Sequence, residues 1–557
     1  MGFTLLGGQE LLGHTWASIV GQRAVECPGQ VAFHICGPDW DSDLSFGLWH
    51  ELATSLARTL AHLGIGRGDR VAALSSGSVV WPVVQVACSH LGAILVPVNS
   101  RYRHGELVFV LGMAKPKVVF LVERLGEADI WERVANALLD IEDFSPKLVA
   151  FPSPNVTTNR HRVSPDGEWL QAVTAGVLTW QQAITPPSAI PEPKPAAASP
   201  RDAVLLQFTS GTTSFPKGAL LDSASTLRAT YELGRRMGLT ESDVMYSTQP
   251  MYHVGGSVAT TLMAPTIGCA MVVPERYTAE ETFRLVEKYS ATARTGQAAM
   301  YLRELHHRDF SPRVFRTVTK GWSGGSALMK QQIVEKMGIP DLISTYGLTE
   351  SAAVVTACDS HDPLQARLAS SGRALPGLEV AISVDGEMLT GDTPPGEVCV
   401  RGWSVMLGYF SDSEATAEAI DAQGWLHTGD LGRLDGQGFI YIIDRIKEML
   451  KPGGENVSPA EVERVIAQLP QVAAVAVVGM PDDKLGEVPC AFVENPDGTL
   501  SEEAVTGFCT RQMASFKVPR KVIFVDTWPM TGSGKIAKGE LRKQVADKGL
   551  GIVGRTG

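Results

Sequence analysis

Three short apolar runs, RVAAL from Arg70, AILVPV from Ala93 and VVFLV from Val118, alternate with longer segments that suit helices. Runs of this length fit strands buried on both faces, and the stretches between them fit the helical crossovers that parallel strands require. The bulk of the chain is therefore expected to be α/β. The most apolar region, VVWPVVQVACSHLGAILVPV from Val79, is long enough to span a bilayer but carries Pro82, Gln85, His90 and Pro97. A buried helix leading into a strand accounts for it better, so no transmembrane segment is expected. The opening MGFTLLGGQELLGH lacks the basic start and apolar core of a signal peptide, which points to a cytoplasmic protein.

With 557 residues the chain exceeds what one core usually supports. RLDGQGFIYIIDR sets Asp435-Gly436 between two apolar runs as a hairpin signal, and after Arg445 the character changes. IKEMLKPGGENVSPAEVERVI supplies a charged segment, a Gly-Gly turn and a helix start at Ser458-Pro459, followed by AAVAVVGM as a strand. The expected division is a large multi-sheet N-terminal part, residues 1–445, and a smaller mobile α+β C-terminal domain, residues 446–557. Between Thr185 and Pro200 the proline-dense TPPSAIPEPKPAAASP reads as an extended surface connection. A net charge of −11 with no dense Lys/Arg cluster argues against a grip on nucleic acid. The eight cysteines include no Cys-x-x-Cys pair, which fits reduced thiols better than a disulfide or zinc framework.

The apolar run AVLLQ leads into FTSGTTSFPKGAL, Phe208 to Leu220. Hydroxyls and freely oriented backbone N–H groups followed by a lysine are what a polyphosphate needs, since its oxygens only accept hydrogen bonds and carry negative charge. The loop is not a Walker A sequence, because Lys217 precedes Gly218 where that pattern has Gly-Lys followed by Ser or Thr. A nucleotide is the expected ligand, held by some other architecture.

Further polar clusters follow at wide spacing: PMYHVGG from Pro250, WSGGSAL from Trp322, STYGLTES from Ser344, WLHTGD from Trp425, DRIKEMLKPGGENVSPAE from Asp444 and PMTGSGKI from Pro529. In this order they resemble the adenylate-forming superfamily of acyl-CoA synthetases, firefly luciferase and peptide-synthetase adenylation domains. GDRVAAL and GAILVPVNSRYRHGEL upstream are similar too, so the resemblance covers nearly the whole chain. It implies a two-step reaction: a carboxylate attacks the α-phosphate of ATP to give an acyl-adenylate and pyrophosphate, and a thiol then displaces AMP. A carboxylate meeting a polyanion needs cations and N–H donors converging on the phosphates.

The resemblance implies a role for each matching residue. Thr209, Ser210, Gly211, Thr212, Thr213 and Lys217 would wrap the β- and γ-phosphates, with Ser214 where relatives commonly have glycine. Gly324, Gly325 and Ser326 would lie along adenine and the acyl pocket, and Tyr346 would stack near adenine. Thr349 would touch the α-phosphate, and Glu350 would bind Mg²⁺, a hard cation that prefers carboxylate oxygen. Asp430 would accept hydrogen bonds from both ribose hydroxyls, with Arg445 near ribose and phosphate. Lys535 would reach the substrate carboxylate and the α-phosphate together. For the second step the C-terminal domain would swing about Lys447, bringing Lys451 and the Gly453-Gly454 turn towards pantetheine.

His253 matches a position near the substrate carboxylate, and Gly255 and Gly256 would leave space for an acyl chain. Where many relatives carry Val-Pro-Thr-Met, this chain has Gln297, Ala298 and Ala299, which would widen the acyl site and add polarity. The expectation is an Mg·ATP-dependent acid:thiol ligase acting on a small-molecule hydrophobic carboxylic acid with CoA. A carrier-protein thiol as acceptor and a luciferase-like oxygenase are the rival readings. A non-catalytic nucleotide-binding protein would not need both Lys535 and Glu350. The oligomeric state stays open, a dimer included.

Overall fold

Each apolar run of the N-terminal part becomes a strand: Arg70–Leu74, Ile94–Pro97 and Val118–Val122 pair in parallel. The stretch from Val79 forms the helix Val80–Leu91, buried at every position but His90 and ended by Gly92 in the left-handed region at φ 65°. Pro82 lies in its first turn, where the backbone N–H groups have no intrahelical acceptor and the missing donor costs nothing. Gln85, buried on this helix, satisfies its amide by donating to the Ser257 carbonyl at 2.8 Å. The computed structural model describes residues 3–155, 168, 171, 175–191, 198–209, 216–455, 457–482, 484–530 and 535–547.

Two large sheets carry the N-terminal part. The eight-stranded sheet joins the three strands above to Ala203–Phe208, which pairs in parallel with Ile94–Pro97 and antiparallel with Gly218–Asp222. The strands on either side of the polar run are thus an antiparallel pair, and Thr209 N–H bonds the Lys217 carbonyl at 2.9 Å. The seven-stranded sheet runs Asp341–Ile343, Lys320–Ser323, Ala293–Gly296, Val244–Ser247, Ala270–Pro274 and Val31–Cys36 in parallel, with Asp41–Ser45 antiparallel at its end. Parallel strands point the same way, so the loops after Ile343, Ser323, Gly296 and Ser247 leave from one edge of the sheet. In open α/β sheets that carboxyl edge is where ligands bind.

A five-stranded antiparallel sheet follows, ending in the hairpin Leu426–Leu434 and Ile440–Arg445. The hairpin expected at Asp435-Gly436 is present, but it is no two-residue turn. Asp435 N–H bonds the Phe439 carbonyl at 3.0 Å, and Gly438, at φ 79°, takes the left-handed conformation. Asp435 instead works through its carboxylate, which accepts from the N–H groups of Gln437 and Phe439.

Beyond Leu450 the chain builds its own cores on a three-stranded sheet, Ala474–Asp482, Gly486–Glu494 and Lys521–Phe524. Pro459–Ile466 and Glu502–Gln512 pack into one of these cores and Lys538–Asp547 into the other. Ser458 caps the first of these helices by accepting from Glu461 N–H, with Pro459 at the first helical position. The proline-dense connection is not all surface: Thr185, Pro186 and Pro187 are buried. Prolines lack a donor but keep their carbonyls, and Arg58 donates to Pro187 and Ile190. All eight cysteines are free. Among the described residues no helix is long and apolar enough to cross a membrane.

Under the strand that leads to Gln297, Arg294 and Glu304 form an ion pair with neither side chain exposed. Glu304→Ala would strand a buried guanidinium, and we expect destabilisation of about 3–5 kcal/mol. The urea midpoint of the N-terminal part should drop accordingly. An unchanged midpoint would show that the pair contributes nothing.

Candidate active site

The residues at the carboxyl edge of the seven-stranded sheet meet side chains from the five-stranded sheet. After Asp341–Ile343 the backbone turns away into Thr345–Tyr346, which pairs with Thr356–Ala357. Tyr346 Oη then donates to Asp430 Oδ2 at 2.7 Å. Asp430 faces Arg445 across its hairpin, and Arg445 Nε reaches Asp430 Oδ1 at 2.8 Å. Asp430 is only 4% exposed. Burial pushes its carboxyl above the usual value, against the pull of the Arg445 guanidinium and the Tyr346 hydroxyl. Each carboxylate oxygen has capacity for two hydrogen bonds, so Asp430 can still accept from a ligand.

Thr349, Glu350 and Ser351 form a single 3₁₀ turn. Tyr409 Oη donates to Glu350 Oε1 at 2.9 Å, and the Lys217 ammonium stands 4.9 Å from the centre of the same Tyr409 ring. Tyr409 thus joins the loop lysine to the acidic residue, and sequence reading missed it. Its signal is tertiary: Gly408–Tyr409 pairs antiparallel with the strand that follows Lys217. A donor on Glu350 leaves the carboxylate able to hold a hard cation, so the residue fits Mg²⁺. Thr209 and Lys217 bracket the polar loop, while Ser210, Gly211, Thr212 and Thr213 lie outside the described residues.

After Lys320–Ser323 comes Gly324, where an added Cβ would meet nothing within 4 Å. An open backbone there suits a flat ligand laid against it. Gly325 has φ 107°, a conformation that favours glycine. Ser326 is committed elsewhere, capping Ala327–Gln332 by accepting from Met329 N–H. Gln297 heads the helix Ala298–Leu305 without capping it and is half-buried. The side chains of Ala298 and Ala299 lie outside the description.

His253 caps the short helix Val254–Ser257, its Nδ1 accepting from Gly255 N–H at 3.3 Å. With Nδ1 as acceptor, a neutral ring carries its proton on Nε2. Burial, and then the charge of Lys535, pushes His253 down to about 4, so at neutral pH the ring is uncharged. Gly256 does not keep room for an acyl chain as expected. A Cβ there would lie 2.1 Å from the Pro250 carbonyl oxygen, so its missing side chain makes way for the chain's own backbone. At Gly255 the obstruction is the Gln249 side chain, at 2.7 Å.

Lys535 comes from the C-terminal domain into this group. Its side chain reaches solvent, yet the surrounding protein and the Arg445 guanidinium hold its ammonium below the usual lysine value, with Asp430 and Glu448 opposing. Lys535, His253, Asp430, Arg445 and Tyr346 are therefore one electrostatic cluster. The residues expected at a hinge and near a thiol make their bonds within the C-terminal part. Lys447 is exposed in the 3₁₀ turn Ile446–Glu448, and Lys451 N–H bonds Glu487 Oε1 at 2.9 Å. Gly453, at φ 60°, bonds the Leu485 carbonyl, with Gly454 closing the turn.

Residues 21–410 match the family model of the AMP-binding enzyme, and residues 461–535 that of the AMP-binding enzyme C-terminal domain. The chain is 34% identical to the 3-[(3aS,4S,7aS)-7a-methyl-1,5-dioxo-octahydro-1H-inden-4-yl]propanoyl:CoA ligase of Rhodococcus jostii (strain RHA1), over 91% of this chain and 95% of that one. It is 32% identical to the mitochondrial medium-chain acyl-CoA ligase ACSF2 of Macaca fascicularis, over 90% of this chain and 82% of that one. In fold it is similar to the anthranilate CoA ligase AuaEII in complex with anthranoyl-AMP. The TM-score is 0.83 at 24% identity, covering 98% of this chain and 100% of that one. With one model spanning most of the N-terminal part and the other the C-terminal domain, the chain belongs to the AMP-binding enzyme family.

Proposed function

We propose that this chain is an ATP-dependent, AMP-forming ligase that joins a medium or large hydrophobic carboxylic acid to CoA in the cytoplasm. The observation that carries this reading is the meeting of Lys535 with Asp430, Arg445 and the neutral His253 at the carboxyl edge of a parallel sheet. In the first half-reaction a substrate carboxylate oxygen bonds to the α-phosphorus while pyrophosphate leaves. Lys535 offsets the charge of both anions as they close, and His253 Nε2–H donates to the carboxylate without adding repulsion to Lys535. Asp430 accepts the ribose hydroxyls, Arg445 and Thr349 face the phosphate, and Lys217 with its loop holds the leaving pyrophosphate. Magnesium, when bound, neutralises phosphate oxygens, and Glu350, steadied by Tyr409, is the carboxylate that would hold it.

The second half-reaction needs a thiol where Lys535 stands. Rotation of the C-terminal domain, residues 446–557, about Lys447 would withdraw Lys535 and present Lys451 and the Gly453-Gly454 turn. The acid is proposed to be bulky, because Ala298 and Ala299 are small and the Rhodococcus relative is named for a propanoate on a fused bicycle. Purified protein with ATP, Mg²⁺ and CoA alone should yield AMP and acyl-CoA from such acids. Acyl-AMP that accumulates until a carrier protein is added would replace CoA as the acceptor.

Lys535→Ala should lower single-turnover pyrophosphate release by about 10²- to 10³-fold, the scale of losing one preorganised electrostatic group. In the wild type, kcat/KM should fall with rising pH at a value below that of an ordinary lysine. The working form is the ammonium, and its pKa in the free enzyme is lowered. Lys535→Arg should shift that limb out of range. A limb unchanged in Lys535→Arg would take the lysine out of the chemistry.

Lys447→Pro fixes φ near −65°, which suits the helical turn that residue occupies here. We expect pyrophosphate release to survive and acyl-CoA formation to fail; equal rates in both steps would show that the pivot lies elsewhere. Ala298→Leu should penalise a fused-ring acid at least several-fold more than palmitate, by the volume it adds. Equal losses for both acids would remove this segment from the acyl site.

A further inference from the structure

His427 sits three residues before Asp430 on the strand Leu426–Leu434, with its ring between two carboxylates. Nδ1 is 2.8 Å from Glu397 Oε2, and Nε2 is 3.6 Å from Asp421 Oδ2. Only the imidazolium can present a proton to both. Glu397 turns its other oxygen to the backbone N–H of Gly429 at 2.9 Å. That bond falls where the sheet is irregular. Cys399 pairs with His427 and Glu397 with Leu431, so Thr428, Gly429 and Asp430 together face Val398 alone.

A bulge of this kind frees backbone N–H groups from the ladder and re-aims a side chain. Here the freed groups are caught locally. Glu397 takes Gly429 N–H, with Gly429 in the left-handed region at φ 70°, and Thr428 Oγ1 takes Asp430 N–H at 3.1 Å. Thr428 Oγ1 in turn donates to the Val398 carbonyl at 2.7 Å. The Glu397 carboxylate is therefore the link between His427 and the backbone that aims Asp430.

We propose that His427, clamped by Glu397 and Asp421, is a positioning residue that sets the Asp430 carboxylate for the ribose of the nucleotide. The inference rests on the ribose role given to Asp430 above. Burial works against the charge on His427, but the two carboxylates outweigh it and hold the imidazolium above its ordinary pKa. The Cys399 thiol also lies 3.6 Å from Nδ1, and Arg401, which lies over Trp425 and pairs with Glu379, acts on Asp421. Glu397, Cys399 and His427 also have donor atoms close enough for a metal ion. A proton suits them better, since burial pushes the Cys399 thiol up to about 12 and the ring nitrogens already face two carboxylates.

The test is calorimetric binding of AMP and of 2′,3′-dideoxy-AMP, neither of which needs magnesium. His427→Gln should weaken AMP roughly 10-fold or more, the worth of a charged hydrogen bond. It should leave the dideoxy nucleotide, which offers Asp430 no hydroxyl, within about twofold. Glu397→Gln should do the same and stands in if the first variant does not fold. In the wild type the AMP preference should be complete while His427 is protonated and decline as pH rises through its raised pKa. Taking the ratio of the two nucleotides cancels the titration of their phosphates, and His427→Gln should flatten that decline. Equal weakening of both nucleotides would reduce His427 to a structural role, and so would a ratio indifferent to pH. AMP binding lost to a chelator and restored by zinc would put a metal where we place a proton. If the wild type fails to prefer AMP over its dideoxy analogue, the ribose role of Asp430 falls first.

Discussion

One whole side of the cleft depends on parallel strand pairing. Six strands of the seven-stranded sheet run in one direction, so the loops after four adjacent strands must leave from one edge. Those loops carry Tyr346 and Glu350, Gly324 and Gly325, Gln297, and His253, which span about a hundred residues of sequence. An antiparallel sheet would send alternate loops to opposite edges and split this set. The crossovers that parallel strands need also place helices on the faces, and in sheets of this kind ligands bind at the carboxyl edge.

The second requirement is charge balance around one buried carboxylate, that of Asp430. Lys535 and Arg445 repel each other, and the carboxylates of Asp430 and Glu448 oppose that repulsion. A polyphosphate and a carboxylate would relieve the repulsion between the two cations on binding. Keeping His253 neutral keeps a third cation out of the group, and Lys535 itself is part of the cause. The cleft is thus poised for anions at some cost to itself in their absence. The Glu397–His427–Asp421 group meets the same need one layer behind, by holding the backbone that carries Asp430.

Much of the fold could be read from sequence because its signals are local. RVAAL, VVFLV and the helix from Val80 follow from apolar runs and their punctuation, and Ser458-Pro459 starts a helix because capping depends on a few consecutive residues. The hairpin after Leu434 was legible, yet the choice of Gly438 over Gly436 for the left-handed position was not. That choice is made by the Asp435 carboxylate and the register of the whole sheet.

The sequence by itself determined the ordered motifs through which the chain resembles adenylate-forming enzymes: a polar loop with a lysine, an acidic residue in STYGLTES, and a glycine-flanked lysine near the C-terminus. These are properties of residue type and order. Only the tertiary structure decided how they cooperate. Tyr409 reaches Glu350 and Lys217 because a two-residue strand joins the edge of the eight-stranded sheet, and no spacing in the chain announces that. Gly256 shows the same limit in reverse: the sequence gives a glycine, and only packing reveals that the Pro250 carbonyl, not a ligand, fills the space. Long-range pairing and close packing are set by the sum of many distant contacts, whereas motif chemistry is set by a few neighbouring atoms.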